Sequence, residues 1–448
     1  MLFINLLPLT GLLTLVLPLI RAQNDSFIPF DVFLQGVEDA TYAQWNATVV
    51  ESSAAFDEIK AHILSMYNGI GNISNTFVLD AEYADCVDID KQPTVRLLGD
   101  TNQTPPSYTS YPEFSKGDSG HVLNYTESPL KLGLTDRFGN HISCPDGTIP
   151  FARLTLQKLT RFSNLRAFFE KPLPPDFTHL SRRHQRELFR RDNEPHLHAY
   201  GVEGVTNFGG NSWLNLWSPV GDFTLSQQWY TGGSGANHQT VEGGWISYEQ
   251  KFNTRQSVLF IFYTPDNYTT QCWNLECPGF KQTNNNWFLG GPGGTGIWNH
   301  YSVSGGEQWG FEMQWKLYQG TWYLFLKGPG DYELVGHYLP EIFRGGQLTK
   351  NAEDVWYGGE VTRFNPANKW PQMGSGAFPS AGWTKAAFQR SIFYIPKDEN
   401  GGVGIWASLY PVVEGIKKCW DIAYTPSERG GNWGSYFYFG GPGGNACD

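Results

Sequence analysis

Apolar and polar residues alternate along much of the second half of the chain. Between residues 309 and 317 every second residue is large and apolar, and glycine or polar residues lie between them. Gln319-Gly320 follows, and a second apolar run starts at Trp322, so this pattern predicts a β-hairpin. Similar short runs at 258–263, 391–395 and 404–409 indicate one β-sandwich or barrel-like domain after residue 191.

The first half of the chain has a different pattern. Apolar residues between Phe56 and Met66 recur at helical spacing, and Gly69 is a suitable stop. A second helical pattern covers 156–165 and carries basic residues, whereas 94–98 has the composition of a strand. We therefore expect a smaller, mixed α/β unit in this half.

Composition separates the two halves further. Of the 17 tryptophans, 16 lie beyond residue 191, and the chain contains 51 glycines. The formal net charge of −11 argues against nucleic acid and anionic membranes as partners. This composition is typical of an acidic protein rich in strands and turns.

A proline-rich and then strongly basic stretch, 170–191, separates the halves and is typical of an exposed linker. It ends at Arg190-Arg191, a dibasic pair of the kind cut in secreted precursors; the alternative is a solvated linker that is never cut. We predict a prosegment over 23–191 and a catalytic domain over 192–448.

The chain starts with an apolar run over 2–20, followed by a small residue at Ala22. We interpret 1–22 as a signal peptide, with a signal anchor as the alternative. Six glycosylation sequons also favour secretion and an extracellular location; they are Asn24, Asn46, Asn72, Asn102, Asn124 and Asn267.

The six cysteines are an even number in an oxidising compartment, which predicts disulfides. The first half contains only two, so Cys86 would pair with Cys144. Cys272 and Cys277 are close enough to close one loop, and Cys419 with Cys447 would hold the C-terminus. A zinc site is the alternative, but no ligand spacing repeats, and we expect no metal.

Two short stretches are near mirror images in sequence. Val241-Glu242-Gly243-Gly244-Trp245 and Trp356-Tyr357-Gly358-Gly359-Glu360-Val361 each place a glutamate beside a Gly-Gly pair. A single glutamate in a strand is usually solvated or ion-paired. Two held close together share a proton, and such a pair suits hydrolysis of peptides or of glycosides.

Several motifs give the chain a resemblance to the neprosin family of glutamic peptidases. Besides the two mirror stretches, they are His196-Leu197-His198-Ala199-Tyr200, Phe223-Thr224-Leu225-Ser226-Gln227-Gln228-Trp229, Gly279-Phe280-Lys281-Gln282-Thr283-Asn284, Gln372-Met373-Gly374-Ser375-Gly376 and Tyr438-Phe439-Gly440-Gly441-Pro442-Gly443. Upstream, Cys144-Pro145-Asp146-Gly147-Thr148-Ile149-Pro150 resembles the activation peptide of that family.

The resemblance implies a sandwich of two antiparallel sheets and a catalytic pair at Glu242 and Glu360. It also implies the Cys272–Cys277 and Cys419–Cys447 disulfides, and cleavage after proline at acid pH without metal or cofactor. The division of labour between the glutamates stays open, and Trp245 is a candidate wall of the substrate cleft.

We therefore predict a secreted acid endopeptidase made as a zymogen. It would be a monomer that acts on peptides or proteins, with its own prosegment as intramolecular inhibitor. Two alternatives use the same features: a β-sandwich glycoside hydrolase with the same carboxylates, and a secreted carbohydrate-binding protein without catalysis.

Overall fold

The computed structural model describes residues 27–447, except 46–47, 80–81, 102, 118–119, 127–134, 172–195, 291–299, 366, 416 and 446. The predicted signal peptide lies outside the described residues, as does most of the linker. The same holds for Asn24, Asn46, Asn102, Arg190 and Arg191.

The N-terminal half, residues 27–171, combines helices with a small antiparallel sheet of order β1-β2-β4, as the mixed α/β prediction requires. Its helices are α1 (Phe30–Asp39), α2 (Tyr42–Trp45), α3 (Ser53–Tyr67), α4 (Pro93–Leu98), α5 (Leu156–Leu159) and α6 (Leu165–Phe169). Its strands are β1 (Thr76–Leu79), β2 (Glu82–Asp88), β3 (Asn124–Tyr125) and β4 (Thr148–Ala152).

The helix predicted around Phe56–Met66 is confirmed as α3. It begins where the side chain of Ser52 accepts a hydrogen bond from the amide of Ala55. Its apolar stripe is buried, with Phe56, Ile59 and Ile63 fully inaccessible to solvent. The helix therefore docks through the face that the sequence pattern indicated.

Two local predictions in this half are wrong. Residues 94–98 form helix α4, because Pro93 at its first turn has a backbone fixed for helix initiation and its missing N–H costs nothing there. The pattern at 156–165 is not one helix: Thr155 and Asn164 each cap a separate short helix, α5 and α6. In both places a residue at the start of a helix, a proline in the first turn or an N-cap side chain, outweighs side-chain composition.

The region after residue 195 is built mainly from two large sheets, which confirms the all-β sandwich. In the described part of the chain, the first has seven strands in the order β10-β9-β8-β7-β15-β5-β19. They are β5 (Leu197–Asn207), β7 (Phe223–Gly232), β8 (Gln239–Ser247), β9 (Val258–Thr264), β10 (Cys272–Trp273), β15 (Ala352–Thr362) and β19 (Tyr410–Val413). All of its pairings are antiparallel.

The second sheet has eleven strands among the described residues, with the central order β11-β14-β13-β12-β6-β17-β21-β16. They are β6 (Gly209–Asn215), β11 (Phe280–Gln282), β12 (Trp309–Tyr318), β13 (Thr321–Lys327), β14 (Glu333–Tyr338), β16 (Met373–Gly374), β17 (Ala387–Tyr394), β18 (Ile405–Trp406), β20 (Asp421–Thr425) and β21 (Tyr436–Gly441), with β3 pairing beside β12. Two short helices complete the domain, α7 (Glu249–Phe252) and α8 (Ser427–Gly430). Single 3-10 turns lie at Ile89–Lys91, Gly235–Asn237, Pro340–Phe343, Gln347–Thr349, Pro379–Ala381 and Gly431–Trp433.

The predicted hairpin is confirmed as β12 and β13, paired from Glu312–Lys327 to Tyr318–Thr321. Gln319 and Gly320 both have positive φ (49° and 83°), as a tight two-residue turn between twisted strands requires.

Hydrogen bonds also connect the two sheets. The Gln228 side-chain amide donates to the Ser212 hydroxyl and to the Met313 carbonyl, both at 2.8 Å.

The N-terminal half contacts both sheets. Lys158 forms a buried salt bridge with Glu276, at 2.8 Å, near the edge of the first sheet. On the second sheet, β3 pairs with β12, and Thr109 exchanges hydrogen bonds with the Gln314 side chain. The N-terminal half is therefore docked on the sandwich through many separate contacts.

The three predicted disulfides are confirmed: Cys86–Cys144, Cys272–Cys277 and Cys419–Cys447.

Within the described residues, no helix combines the length and apolarity needed to cross a bilayer.

Candidate active site

The two mirror stretches lie on strands that flank the same central strand. Glu242 is on β8 and Glu360 on β15, and both strands pair with β7. Glu242 lies opposite Trp229 and Glu360 opposite Leu225, and Gln227 lies midway between those two residues on β7. The two outer strands run in the same direction on either side of β7, and the inverted order of glutamate and glycines places Gly244 and Gly358 both opposite Gln227.

The glycines of the mirror stretches serve the neighbouring strands. A Cβ on Gly244 would lie 2.0 Å from the Ser226 carbonyl oxygen, and one on Gly358 would lie 2.4 Å from that of Ala199. No side chain fits at these distances, so glycine is what allows the backbones to approach. These glycines therefore admit the neighbouring strands of the sheet.

A lysine from the N-terminal half joins the two glutamates. Lys171 Nζ is hydrogen-bonded to Glu242 Oε2 and lies 3.2 Å from Glu360 Oε2. It also donates to Gln227 Oε1 at 3.1 Å. The side chains of Lys171 and both glutamates are at most 1 % exposed. The structure therefore brings the predicted pair of carboxylates together around one ammonium group.

Aromatic rings complete the surroundings of that ammonium. Its nitrogen lies 5.7 Å from the ring centre of Trp229, 6.0 Å from Phe260 and 5.4 Å from Phe262. Ring faces attract a cation, and they also keep water away from it. The charge of Lys171 is thus balanced by carboxylates inside an otherwise apolar setting.

The prediction of an exposed linker from residue 170 is wrong at Lys171, whose exposure is only 1 %. A lysine beside a proline-rich, charged run is typical of a solvated segment. Here the two buried carboxylates supply the countercharge without which burial of the ammonium would be strongly unfavourable.

Glu242 is otherwise surrounded by hydroxyl groups. Its Oε1 accepts hydrogen bonds from Thr240 Oγ1 at 2.8 Å and from the Tyr268 hydroxyl at 3.2 Å. Burial and the nearby carboxylates Glu242 and Glu360 raise the pKa of Tyr268 well above its usual value, so this phenol is a permanent donor. Lys171 is the cation that contacts Glu242 in the described part of the chain.

Glu360 has partners of a different kind. His196 Nδ1 bonds to its Oε1, His198 Nε2 lies 3.6 Å from its Oε2, and the Gln227 amide donates to Oε2 at 3.2 Å. Burial opposes ionisation, but Lys171, His198 and His196 outweigh it and hold the pKa of Glu360 well below its ordinary value. The two carboxyl groups therefore differ in environment: one among cationic and imidazole groups, the other among hydroxyls.

Trp245 does not join this site. Side chains alternate along a strand, so Trp245, three residues after Glu242, points to the opposite face. It is fully buried, and its indole donates to the Asn215 carbonyl on the second sheet at 3.0 Å. This position in the core contradicts the prediction that Trp245 is a wall of the substrate cleft.

Site residues that were not assigned a role from sequence include Lys171, His196, His198, Gln227, Tyr268 and Glu414, which bonds to His198. One signal was present, since the spacing of His196 and His198 places both rings on one face of a strand. The others lie on separate segments and have no local pattern.

Of the predicted glycosylation positions, three are described. Asn72 is exposed, whereas Asn124 and Asn267 are partly buried. Whether glycans are attached stays a prediction. Among the described residues, no group of three or more His, Cys, Asp or Glu is arranged to hold a metal ion.

We expect Gly359→Ala to destabilise the domain. A Cβ at this position would lie 2.5 Å from the Phe439 ring and 2.8 Å from Met373, both in the core. Overpacking of this kind typically costs about 1–3 kcal/mol. Chemical denaturation of the variant measures that loss, and Gly36→Ala, where no atom lies within 4 Å of the new methyl group, is the control. An unchanged denaturation midpoint for Gly359→Ala would contradict the packing described here.

A comparison with protein-family models agrees with the motifs. Residues 220–442 match the family model described as Neprosin. Among solved structures, the chain is similar to scytalido-glutamic peptidase with a transition state analog inhibitor, at 8 % identity and a TM-score of 0.30, covering 56 % of this chain and 98 % of that one. A second structure of that peptidase, with a peptide-based transition state analog, gives 6 % identity, a TM-score of 0.26 and coverage of 55 % and 98 %. Through the domain at 220–442, which contains both glutamates, the chain belongs to the neprosin family of peptidases.

Proposed function

We propose that the chain is the precursor of a secreted acid endopeptidase whose catalytic groups are Glu242 and Glu360. The observation that carries this proposal is the single ammonium of Lys171 that contacts both carboxylates. One small group touching both carboxylates means that a water molecule or a peptide carbonyl of similar size fits between them. Family membership favours a peptidase over the glycoside hydrolase and the carbohydrate-binding alternatives.

The surroundings of the two glutamates support a division of labour. Glu360 keeps its imidazole neighbours when Lys171 leaves, and it acts as the general base in the carboxylate form. Glu242 then retains hydroxyl partners, Thr240 and Tyr268, and a buried carboxylate without a cation is costly. Glu242 therefore carries the proton and acts as the acid.

The reaction follows from these roles. Glu360 takes a proton from a water molecule while the oxygen of that water attacks the peptide carbonyl carbon. Glu242 donates a hydrogen bond to the carbonyl oxygen. Gln227, between them, fixes the position of Glu360 through its amide. The tetrahedral intermediate collapses when the proton held by Glu360 passes to the leaving nitrogen, which breaks the C–N bond.

Lys171 accounts for latency in this proposal. Its ammonium occupies the place of the substrate carbonyl and neutralises the base. In the docked precursor the pKa of Glu360 is depressed, with Lys171 as the largest of the groups that lower it. The docked state is therefore stabilised at pH values above the pKa of the undocked Glu360 carboxyl group. This stabilisation is lost as pH falls through the lower pKa that the carboxyl group has in the docked state, so acid favours release of the prosegment.

Further parts of the proposal concern location and maturation. Three disulfides are consistent with an extracellular protein. We propose that 1–22 is removed as a signal peptide and that cleavage within 172–191 separates prosegment and catalytic domain. We also propose that the mature enzyme is a monomer and that it cleaves preferentially after proline.

A peptide library tests the activity. Acid-activated protein is incubated with proline-containing peptides, and the cut sites are mapped by mass spectrometry. We expect cleavage after proline at acid pH, unaffected by a metal chelator. Cuts with no proline preference would refute the specificity alone, whereas an absence of cuts at every pH would refute the peptidase.

A further inference from the structure

A second carboxylate–imidazole contact lies directly beside the proposed catalytic pair. His198, on β5, is paired with Glu360 on β15 on one side, and the next residue, Ala199, is paired with Val413 of β19 on the other. Glu414 follows β19, and its amide donates to the His198 carbonyl at 2.8 Å. Strand pairing thus aligns Glu360, His198 and Glu414 in one row across the sheet.

The side chains of this row are in contact. His198 Nδ1 donates to Glu414 Oε2 at 2.6 Å, and its Nε2 lies 3.6 Å from Glu360 Oε2. The histidine side chain is 4 % exposed and that of Glu414 is 18 % exposed. Nε2 is buried and has no hydrogen-bond partner among the described residues. A buried donor without an acceptor is costly, so its position calls for an explanation.

We propose that His198 and Glu414 are a positioning pair for the general base, in which the imidazolium, held by Glu414, fixes Glu360 as a correctly oriented carboxylate. The inference rests on the proposed function, because it assumes that Glu360 acts as the base. Neither His198 nor Glu414 touches the reacting atoms.

The crowding around Glu360 Oε2 explains the long contact in the precursor. That oxygen is shared by Lys171 Nζ at 3.2 Å and by the Gln227 amide at 3.2 Å, and His198 is the more distant third partner. When Lys171 leaves, Oε2 loses its strongest cation and accepts from His198 Nε2. The contact with Lys171 is thereby replaced by a closer contact with the His198 imidazolium, which remains beside the base through the catalytic cycle.

The titratable groups around His198 are the carboxylates of Glu360 from β15 and Glu414 after β19, and the His196 ring just before its own strand. Lys171 from the N-terminal half contacts the same Glu360 oxygen, and the Tyr200 ring is 6.2 Å from the His198 ring. The two carboxylates favour a cationic ring. Burial disfavours the charge on His198, yet Glu414 and Glu360 together raise its pKa to about 10. Burial instead lowers the pKa of His196, so that ring is neutral and donates a single hydrogen bond.

The test compares pH–rate profiles of the acid-activated full-length protein carrying His198→Gln or Glu414→Gln. Without the imidazolium, Glu360 accepts a proton more readily, so the acid limb of kcat/KM moves to higher pH by about one unit in His198→Gln. We expect kcat to fall roughly 10-fold or more while KM stays within about twofold, since Glu360 loses its fixed orientation and substrate binding is kept. Glu414→Gln shifts the limb in the same direction by less, because the ring stays in place but loses one of the two carboxylates that keep it charged.

Two further variants keep the outcome decisive. His198→Lys retains a cation beside Glu360 and should keep the acid limb near its wild-type position. His337→Gln, another histidine with 5 % exposure, lies on β14 of the second sheet and should leave the profile unchanged. If His198→Gln does not fold, Glu414→Gln at the partly exposed edge carries the test.

An acid limb that stays in place in the folded His198→Gln and Glu414→Gln variants overturns the positioning role, even if kcat falls. That result is distinct from failure of the proposed function, which would appear as a wild-type enzyme that cuts no peptide or as an active Glu360→Gln variant.

Discussion

Glu242→Gln and Glu360→Gln are each expected to reduce peptide hydrolysis by the mature domain at least about 10²-fold, the scale of a lost acid or base. The change replaces one oxygen with an amide nitrogen of nearly the same size, so the strand and its neighbours stay in place. In Glu360→Gln no group accepts the proton from water, and in Glu242→Gln no acidic proton faces the carbonyl oxygen. Steady-state cleavage of a fluorogenic peptide over a range of pH measures both losses.

Glu312→Gln is the matched control for the pair. Glu312 is also a fully buried glutamate on a strand, but it lies on β12 of the second sheet and bonds to Tyr111 and Lys327. Its variant should keep nearly full activity. Circular dichroism and thermal unfolding of all three variants show whether the fold is kept. Near-normal activity in a folded Glu242→Gln or Glu360→Gln would eliminate that residue from the catalytic pair.

Lys171→Met is expected to give a precursor that is active without cleavage at pH values where the wild-type precursor is still latent. The substitution keeps the length of the side chain but leaves two buried carboxylates facing an apolar group. Removing one partner of a buried ion pair typically costs about 3–5 kcal/mol, and the chain avoids that cost when the segment leaves the site. Latency of the full-length protein, measured with the same fluorogenic peptide, should therefore be lost.

The pH dependence of the prosegment contact provides a second measurement. Added in trans to the mature domain, the wild-type prosegment should bind more weakly as pH falls, because protonation of the carboxyl groups opposes the Lys171 contact. The Lys171→Met prosegment should bind weakly at every pH and lose most of that slope.

Lys60→Met is the control for this prediction, since Lys60 bonds to the Ala40 carbonyl inside the N-terminal half. It should leave latency and the slope unchanged. A Lys171→Met precursor as latent as wild type would mean that steric cover by other segments, and not the ammonium, blocks the site.

Much of the fold could be predicted from sequence because its signals are local. The hairpin at β12 and β13 follows from alternation and a Gln-Gly turn, and α3 from a helical stripe with a capping serine. The Cys86–Cys144 pair follows from the count of cysteines in one half. The prediction at 94–98 failed because strand-like composition is a weaker local signal than a proline at the first turn of a helix.

For the site, sequence by itself determined that Glu242 and Glu360 are the candidate catalytic pair, since each lies beside a Gly-Gly pair that strand packing requires. Only the tertiary structure decided what surrounds them. Lys171 is 71 residues from Glu242, and His198 is 216 residues from Glu414, so no local pattern connects them. Strand register places Gln227 between the carboxylates and turns Trp245 away from them. The physical reason is that burial and charge pairing depend on which strands become neighbours, and this is fixed only when the two sheets and the N-terminal half pack together.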